Sequence, residues 1–195
     1  MKYYSGYQFA AFRIILGIYL LIHFVQLLPY APEIWSNEGT MPDAALNFTF
    51  GLFPNPLNYL DSPWQTQGFI VLLILCSLCF IVGYKRNLFA LLLWFGWACL
   101  FNRNNLISNP GIPFVGWLLL CCSLIPKGEP LSLSEKEPAW NFPQILFIGA
   151  WVIMAVGYTI SGIDKLGSPS WVDGSAITHL LNNPLARNWW PRELL

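Results

Sequence analysis

Five long apolar stretches organise the sequence, at residues 8–28, 67–84, 87–101, 111–125 and 142–163. An apolar helix of about 20 residues matches the hydrocarbon thickness of a lipid bilayer. A helix also satisfies its own backbone hydrogen bonds, as a segment inside lipid must. We therefore predict an all-α fold: a polytopic membrane helical bundle with about five transmembrane helices in a single domain.

Composition supports this fold class and excludes nucleic-acid binding. Charged residues make up 10% of the chain and apolar residues 55%, whereas soluble domains contain about 25% charged residues. The formal net charge is zero, so the chain has no basic field that would attract nucleic acid. The partner that the composition predicts is the lipid bilayer.

The first apolar stretch contains two ionisable side chains, Arg13 and His23. The stretch is too long for the core of a signal peptide and lacks a cleavage site, so we interpret it as a retained helix. Arg13 has two interpretations of equal weight: it snorkels to the headgroups, or it faces the bundle and binds a carboxylate or loop carbonyls. His23 is more typical of an interhelical hydrogen bond than of a proton shuttle.

Residues 29–66 form the longest segment between apolar stretches and contain six prolines and several aromatic residues. A flexible linker would instead be rich in glycine and serine. We predict a folded outer cap lying on or partly in the membrane, with a short helix capped by Asp43. Its ionisable residues are all acidic: Glu33, Glu38, Asp43 and Asp61.

The distribution of lysine and arginine predicts the orientation. Cytoplasmic loops of membrane proteins carry an excess of these residues. On one side of the predicted bundle lie Lys2, Lys85, Arg86, Lys127 and Lys136. We therefore expect a cytoplasmic N-terminus and an outer C-terminal segment of residues 164–195. The loop at residues 129–141 is the stretch most typical of soluble protein.

The five cysteines all lie within apolar stretches, where cysteine usually packs as a small hydrophobic residue. Cys76 and Cys79 have the C-x-x-C spacing of redox and metal sites, but they fall in the middle of a predicted helix without a second pair. We interpret them as packing residues. The two histidines are far apart in the sequence and no carboxylate cluster shares a helical face, so no metal site is predicted.

Three polar groups are predicted at the outer side of the bundle: the acidic cap, an asparagine and arginine patch, and the residues around the end of the fifth stretch. If they converge, they form an outward-facing pocket suited to a lipid or a quinone. The candidate binding residues are Arg13, Asn102, Arg103, Asn105, Asn109, Asp164, Trp171 and Asp173.

Lys165 is the candidate catalytic residue. Burial lowers the pKa of a lysine in general, and a neutral amine is a competent base. The simpler interpretation is a lysine just past a helix C-terminus that complements the helix dipole and snorkels outward. The neighbouring carboxylate of Asp164 favours the charged ammonium and therefore opposes the catalytic role.

Four segments of the sequence carry a resemblance to a known family: residues 12–17 (F-R-I-I-L-G), 109–117, 158–166 (Y-T-I-S-G-I-D-K-L) and 171–174 (W-V-D-G). Together they resemble the vitamin K-dependent gamma-carboxylase family, and more closely its bacterial branch, the horizontally transferred transmembrane (HTTM) domain proteins. The resemblance covers nearly the whole chain as the N-terminal helical portion of that domain. It implies a bacterial protein of the inner membrane.

The resemblance also implies a chemistry. The carboxylases oxygenate a reduced vitamin K and use the strong base so generated to carboxylate glutamate, and their catalytic lysine matches Lys165. Asp164 stands where the animal carboxylase has a lysine, and no histidine is found near Gly111, where the family has one. The large lumenal substrate domain has no counterpart. The resemblance therefore implies binding of a reduced quinone or a lipid, with Lys165 as a base, and not peptide carboxylation.

Two other functions remain open. The chain could be a non-catalytic membrane scaffold or a partner subunit, since small bundles with interior polar residues serve that role as well. Thiol redox chemistry at Cys76 and Cys79 would require that these thiols react with a water-soluble alkylator, which their predicted depth in the membrane opposes.

Overall fold

The computed structural model describes residues 5–107, 109, 111–134, 137 and 140–182, and all the regular elements of this part are helical. The prediction of an all-α fold is therefore confirmed. The α-helices of the described residues are α1 Gly6–Leu27, α2 Ala31–Trp35, α3 Pro63–Val82, α4 Arg86–Arg103, α5 Gly111–Leu124, α6 Gln144–Leu166, α7 Pro169–Val172 and α8 Ala176–Leu181. Short 3₁₀ helices lie at Leu28–Tyr30, Ala44–Leu46, Pro56–Asn58 and Asn105–Ile107.

Three helical stretches in the described part of the chain are long and apolar enough to cross a membrane. They are Gly6–Trp35, Pro63–Val82 and Gln144–Leu166. α4 has 18 residues and carries an arginine at each end, and α5 is apolar but has only 14 residues. The three long apolar helices give the chain the character of an integral membrane protein.

The start of α3 differs from the predicted start at residue 67 because its first turn is polar. Ser62 is the N-cap, Pro63 occupies the first helical position, and the Gln65 side chain accepts a hydrogen bond from the Ser62 backbone N–H at 3.1 Å. A capping box with proline at the first position is a strong helix start. Hydropathy does not detect such a turn, since its residues are not apolar.

The end of α6 corrects the predicted position of Lys165. The helix continues through Gly162 to Leu166, so Asp164 and Lys165 belong to its last turn and do not follow it. A glycine inside a helix costs only about 1 kcal/mol. The helix ends where Gly167 and Ser168 donate backbone hydrogen bonds to the carbonyls of the last turn, just before Pro169.

The chain divides into two compact units, residues 1–150 and 151–195, with the boundary inside α6. In the first unit, α1 packs on α3, α3 on α4, and α4 on α5, while α2 packs on α3. The core of this unit is apolar and aromatic, with fully buried side chains at Leu20, Phe24, Ile70, Leu93 and Leu119. The short turn of residues 83–85 joins α3 to α4, and Arg86 at the amino end of α4 binds carbonyls at the carboxyl end of α5. The carboxyl ends of α3 and α5 therefore lie at the same end of the unit as the amino end of α4.

Candidate functional site

Three arginines of the first unit are almost completely buried. Arg13 and Arg103 have 0% of their surface exposed and Arg86 has 2%. An isolated buried charge is very costly, so each guanidinium requires several acceptors. Each of the three is bound to backbone carbonyls at helix ends or in loops.

Arg86 and Glu129 form a buried ion pair with two hydrogen bonds. Arg86 Nε lies 2.9 Å from Glu129 Oε1, and Arg86 Nη2 lies 3.2 Å from Glu129 Oε2. The remaining donors of the same guanidinium bind carbonyls at the carboxyl end of α5 and just beyond it, those of Cys122, Ile125 and Pro126. These carbonyls have no partner within the helix and carry its negative dipole end, so a cation is favourable here.

Arg13 reaches from α1 to the carboxyl end of α3. Its Nη1 donates to Phe80 O at 2.9 Å and to Ile81 O at 2.7 Å, and its Nη2 donates to Leu131 O at 2.6 Å. Its Nε lies 3.6 Å from Glu129 Oε1, too far for a hydrogen bond. Of the two interpretations of this arginine, the structure shows the one in which it faces the bundle and binds loop carbonyls and a carboxylate.

Glu129, which binds Arg86 and lies near Arg13, is buried although the sequence predicted an exposed position. It belongs to the loop that we expected to be the most soluble, yet only 1% of its surface is exposed. The loop is folded against the helix ends: Ser132 and Ser134 both donate to Gly83 O at 2.9 Å, and Trp140 Nε1 donates to Pro126 O at 3.0 Å. Neighbouring sequence gives no signal for this burial, since the partners of Glu129 lie on other helices.

Arg103 organises the opposite end of the first unit. It is the last residue of α4, and its guanidinium donates to Met41 O at 2.8 Å, to Leu57 O at 3.2 Å and to Pro42 O at 3.4 Å. All three carbonyls belong to the segment between α2 and α3. The carboxylates of Asp61 and Asp43 add favourable electrostatic interactions with the guanidinium.

Side-chain amides and an indole bind the last carbonyls of α4. Asn55 Nδ2 donates to Cys99 O at 2.9 Å, Trp35 Nε1 to Leu100 O at 3.0 Å, and Asn47 Nδ2 to Asn102 O at 2.8 Å. In return, Asn104 Nδ2 donates to Ile34 O at 2.7 Å. The four terminal carbonyls of a helix need such partners when water is excluded. The segment 28–62 is therefore fixed on α4.

A cavity of about 280 Å³ lies between α4 and α5, in the half of the bundle that contains Arg103. Residues 94, 97, 98, 101 and 102 are spaced so that they share one face of α4, and this face forms one wall of the cavity. The lining is apolar except for one amide and includes Trp94, Trp97, Ala98, Phe101, Asn102, Ile112, Pro113, Gly116, Trp117 and Leu120. The sequence analysis did not predict this cavity, although the spacing of Trp94, Trp97 and Phe101 was the signal for it.

The predicted asparagine patch does not form one cluster of free amides. Asn102 lines the cavity and donates to Ala98 O at 2.8 Å. Asn105 Nδ2 is buried without a hydrogen-bond partner. Asn109 is exposed and binds locally, since its Oδ1 accepts from Gly111 N at 2.9 Å. Of the predicted patch, only Asn102 lines the described cavity.

His23 lies on α1 beside the same wall. Its ring is 5.3 Å from that of Trp97 and stacks on Tyr19 at 5.9 Å. Trp97 in turn donates from Nε1 to Ile112 O at 2.9 Å, which connects α4 to α5. The partly buried imidazole of His23 is therefore packed against aromatic rings of both α1 and α4.

The second unit contains the remaining predicted site residues. Lys165 Nζ lies 4.5 Å from the centre of the Trp171 ring, a cation–π contact made by the ammonium form. Asp164 is exposed. Asp173 Oδ1 accepts a hydrogen bond from Ser175 N at 2.8 Å, and hydrogen bonding by Ser175 lowers the pKa of the Asp173 carboxyl. Residues 183–195 of the predicted outer segment lie outside the described residues.

The cysteines form no disulfide in the structure. All five cysteines are free thiols; Cys76, Cys99 and Cys122 are buried and Cys79 and Cys121 partly buried. Among the described residues, no group of three or more metal-binding side chains comes together.

No protein-family model, no curated protein and no solved structure matches the chain. The resemblance to the carboxylase family therefore depends on the motifs quoted above.

Proposed function

We propose that this integral membrane protein binds the ring of a quinone, or a lipid with a similarly planar group, in the cavity between α4 and α5. The observation that carries the proposal is the aromatic lining of this cavity by Trp94, Trp97, Phe101 and Trp117. Its volume of about 280 Å³ is close to the lower end of ligand pockets, near 300 Å³. A ring with a short tail segment suits that volume better than a whole lipid.

The surrounding medium explains why an aromatic ring is favoured over an acyl chain. Inside a bilayer, apolar burial gives little net gain, because lipid tails are as apolar as the cavity wall. Ring stacking adds about 0.5–1.5 kcal/mol per aromatic pair beyond burial. Asn102 adds one polar group, since its amide nitrogen has a second N–H besides the one bound to Ala98 O. A ring carbonyl is a suitable acceptor for it.

We further propose that Lys165 acts as a base on a quinol, as its match to the carboxylase lysine implies. In the structure its ammonium contacts the Trp171 ring. This part of the proposal rests on the resemblance and is tested separately from binding.

The proposed arrangement in the membrane has α1, α3, α4, α5 and α6 as the five spans. The segment 28–62 then forms the cap at the outer end, and the Arg86–Glu129 pair lies at the cytoplasmic end. Its support is the distribution of charge: exposed Lys85 and Lys127 lie at one end, and the acidic segment lies at the other. We propose the bacterial inner membrane as the location.

A non-catalytic scaffold or partner subunit is the second candidate. It is favoured by the way the buried arginines are used, since the carbonyls and the carboxylate that Arg13, Arg86 and Arg103 bind belong to the same chain. Buried charges committed to internal contacts stabilise a fold and leave no free cation for a substrate in those places.

Substitution at Gly116 tests the binding site. A Cβ there would lie 3.7 Å from Trp97 Cδ1 and 4.0 Å from Trp94 Cδ1, which is ordinary contact, so Gly116→Ala should preserve binding. Gly116→Leu should fill the cavity and abolish quinone quenching of tryptophan fluorescence in nanodiscs. Quenching by a short-chain quinone that is equal in both variants would refute the site. If a saturated lipid changed the tryptophan fluorescence as much as the quinone does, the cavity would be an acyl-chain site instead.

Turnover tests the role of Lys165. Oxygen-dependent conversion of a reduced quinone should be lost in Lys165→Ala, while bound quinone, measured by extraction, should be unchanged. Turnover that persists in Lys165→Ala would exclude the lysine as the base. The absence of any bound or convertible quinone in the unsubstituted protein would favour the scaffold.

A further inference from the structure

The loop of residues 44–52 presents large apolar side chains to the outside of the first unit. Leu46 is 73% exposed, Phe48 78% and Leu52 79%, and Phe50 is also exposed. These residues alternate in sequence with Asn47, which is buried, and with Thr49. An apolar surface of this kind usually marks a contact with a membrane or with another protein.

We propose that the apolar side chains of this loop insert into the lipid leaflet at the Arg103 end of the bundle. The proposal is independent of the cavity and of its ligand. It concerns the surface by which the 28–62 segment contacts the bilayer, and its partner is the boundary between headgroups and acyl chains.

Hydrogen bonds and ring packing fix the loop on the first unit. Asn47 Nδ2 donates to Asn102 O at 2.8 Å, and Asn47 Oδ1 accepts from Thr49 N at 3.2 Å and from Thr49 Oγ1 at 3.1 Å. Phe53 packs on Phe95 with ring centres 5.6 Å apart. The exposed side chains therefore belong to an ordered loop, and inserting them requires little further ordering.

The apolar side chains of the loop continue the part of the surface that faces the membrane interface. The 28–62 segment contains the end of the first long apolar stretch, Gly6–Trp35, and leads to the second, Pro63–Val82, so it lies at the bilayer surface. Tyr30, at the first end, is 57% exposed, and Trp64, in the first turn of α3, is 72% exposed. Tyrosine and tryptophan are the residues that collect at membrane interfaces. The apolar residues of the loop therefore extend the interfacial surface that Tyr30 and Trp64 begin.

The charge of the segment selects the kind of lipid headgroup. The segment 29–66 contains no lysine, arginine or histidine, and Glu33, Glu38 and Asp43 are exposed. Anionic headgroups would be repelled by these carboxylates. The surface therefore suits zwitterionic or neutral headgroups, and the attachment to them depends on apolar insertion.

Photo-crosslinking in nanodiscs tests the proposal with the intact chain. Benzoylphenylalanine placed at Phe48 or at Leu52 should form lipid adducts in phosphatidylcholine nanodiscs. The matched control is the same amino acid at Glu38, an exposed residue of the same segment, which should give few adducts. All three positions are exposed, so the substitutions should leave the fold intact, as checked by the thermal unfolding temperature. Adduct yield at Phe48 should fall several-fold when most of the lipid is phosphatidylglycerol.

Equal lipid adducts at Phe48, Leu52 and Glu38 would overturn the proposal, as would their absence at all three. In native membranes, a protein adduct at Phe48 in place of the lipid adduct would also overturn it and would identify a protein-docking surface. A yield at Phe48 that is unaffected by phosphatidylglycerol would overturn the charge preference.

Discussion

Arg86 and Glu129 are 43 residues apart in the sequence and are joined by two hydrogen bonds in an interior where neither side chain is more than 2% exposed. The pair connects the first residue of α4 to the loop that follows α5. Arg13 lies 3.6 Å from the same carboxylate, so two guanidinium groups share one negative charge. The helix-end carbonyls bound to both arginines compensate for the excess positive charge.

Removing the shared carboxylate should destabilise the bundle strongly. In Glu129→Gln, two buried guanidinium groups lose their counter-charge while their burial is unchanged. Breaking a buried pair in this way costs about 3–5 kcal/mol. The measurement is the free energy of unfolding in mixed micelles. Glu137→Gln is the control, because Glu137 is exposed in the same loop. Equal stability of the two variants would contradict the role of Glu129.

Two glycines with nearly the same positive φ allow the effect of the contact with Arg13 to be separated from that of backbone strain. Gly83 has φ +75 and Gly51 has φ +78, so alanine at either position costs about 1–2 kcal/mol of backbone strain. At Gly83 a Cβ would also lie 2.5 Å from Arg13 Nη1 and 2.6 Å from Ser132 Oγ, whereas at Gly51 it would meet nothing within 4 Å.

Gly83→Ala should therefore be less stable than Gly51→Ala by a further ~1–3 kcal/mol, the cost of displacing a buried hydrogen-bonded donor. Thermal unfolding of the two variants in the same detergent measures this difference directly. Equal losses would show that Arg13 can move aside without cost.

Replacing Arg103 by lysine should loosen the 28–62 segment while keeping the charge. The guanidinium binds carbonyls of Met41, Pro42 and Leu57, and lysine cannot reproduce that fork. Each hydrogen bond to a charged group contributes about 1.5–3 kcal/mol, so we expect faster proteolysis within residues 36–62. Lys127→Ala, at an exposed position, should leave the cleavage rate unchanged. Slow cleavage of Arg103→Lys would argue against this anchoring.

Labelling of new cysteines tests the orientation. Glu38 and Lys127 are exposed and lie at opposite ends of the first unit. In intact cells a membrane-impermeant maleimide should label Glu38→Cys, and it should label Lys127→Cys only after the membrane is permeabilised. The unsubstituted chain is the control for the five native cysteines. The reverse pattern would invert the proposed topology.

Hydropathy anticipated the helices well because the signal is local. A run of apolar residues can satisfy its backbone only as a helix in lipid, whatever surrounds it. The predicted stretch 111–125 coincides with α5 within one residue. The larger errors occurred where polar residues extend a helix, as Ser62 and Gln65 do at the start of α3 and as Asp164 and Lys165 do at the end of α6.

The site was less predictable because the burial of a side chain depends on residues that are far from it in the sequence. Asn102 was selected from a polar patch and does line the cavity. Trp94 was considered only as part of an apolar composition, and Trp117 only as part of the motif at residues 109–117. Whether two aromatic faces enclose a cavity depends on how α4 and α5 pack. The spacing of Trp94, Trp97 and Phe101 in α4 indicates one wall of the cavity, but not that α5 packs against it.

The sequence by itself determined that the chain is helical and suited to a membrane, since apolar length and low charge leave few alternatives. Only the tertiary structure decided which charges are buried. Glu129 lies in a polar loop and Arg86 follows a lysine, so both resemble surface residues in the sequence. Their burial follows from the meeting of helix ends, where free carbonyls and an opposite charge together compensate for the loss of water.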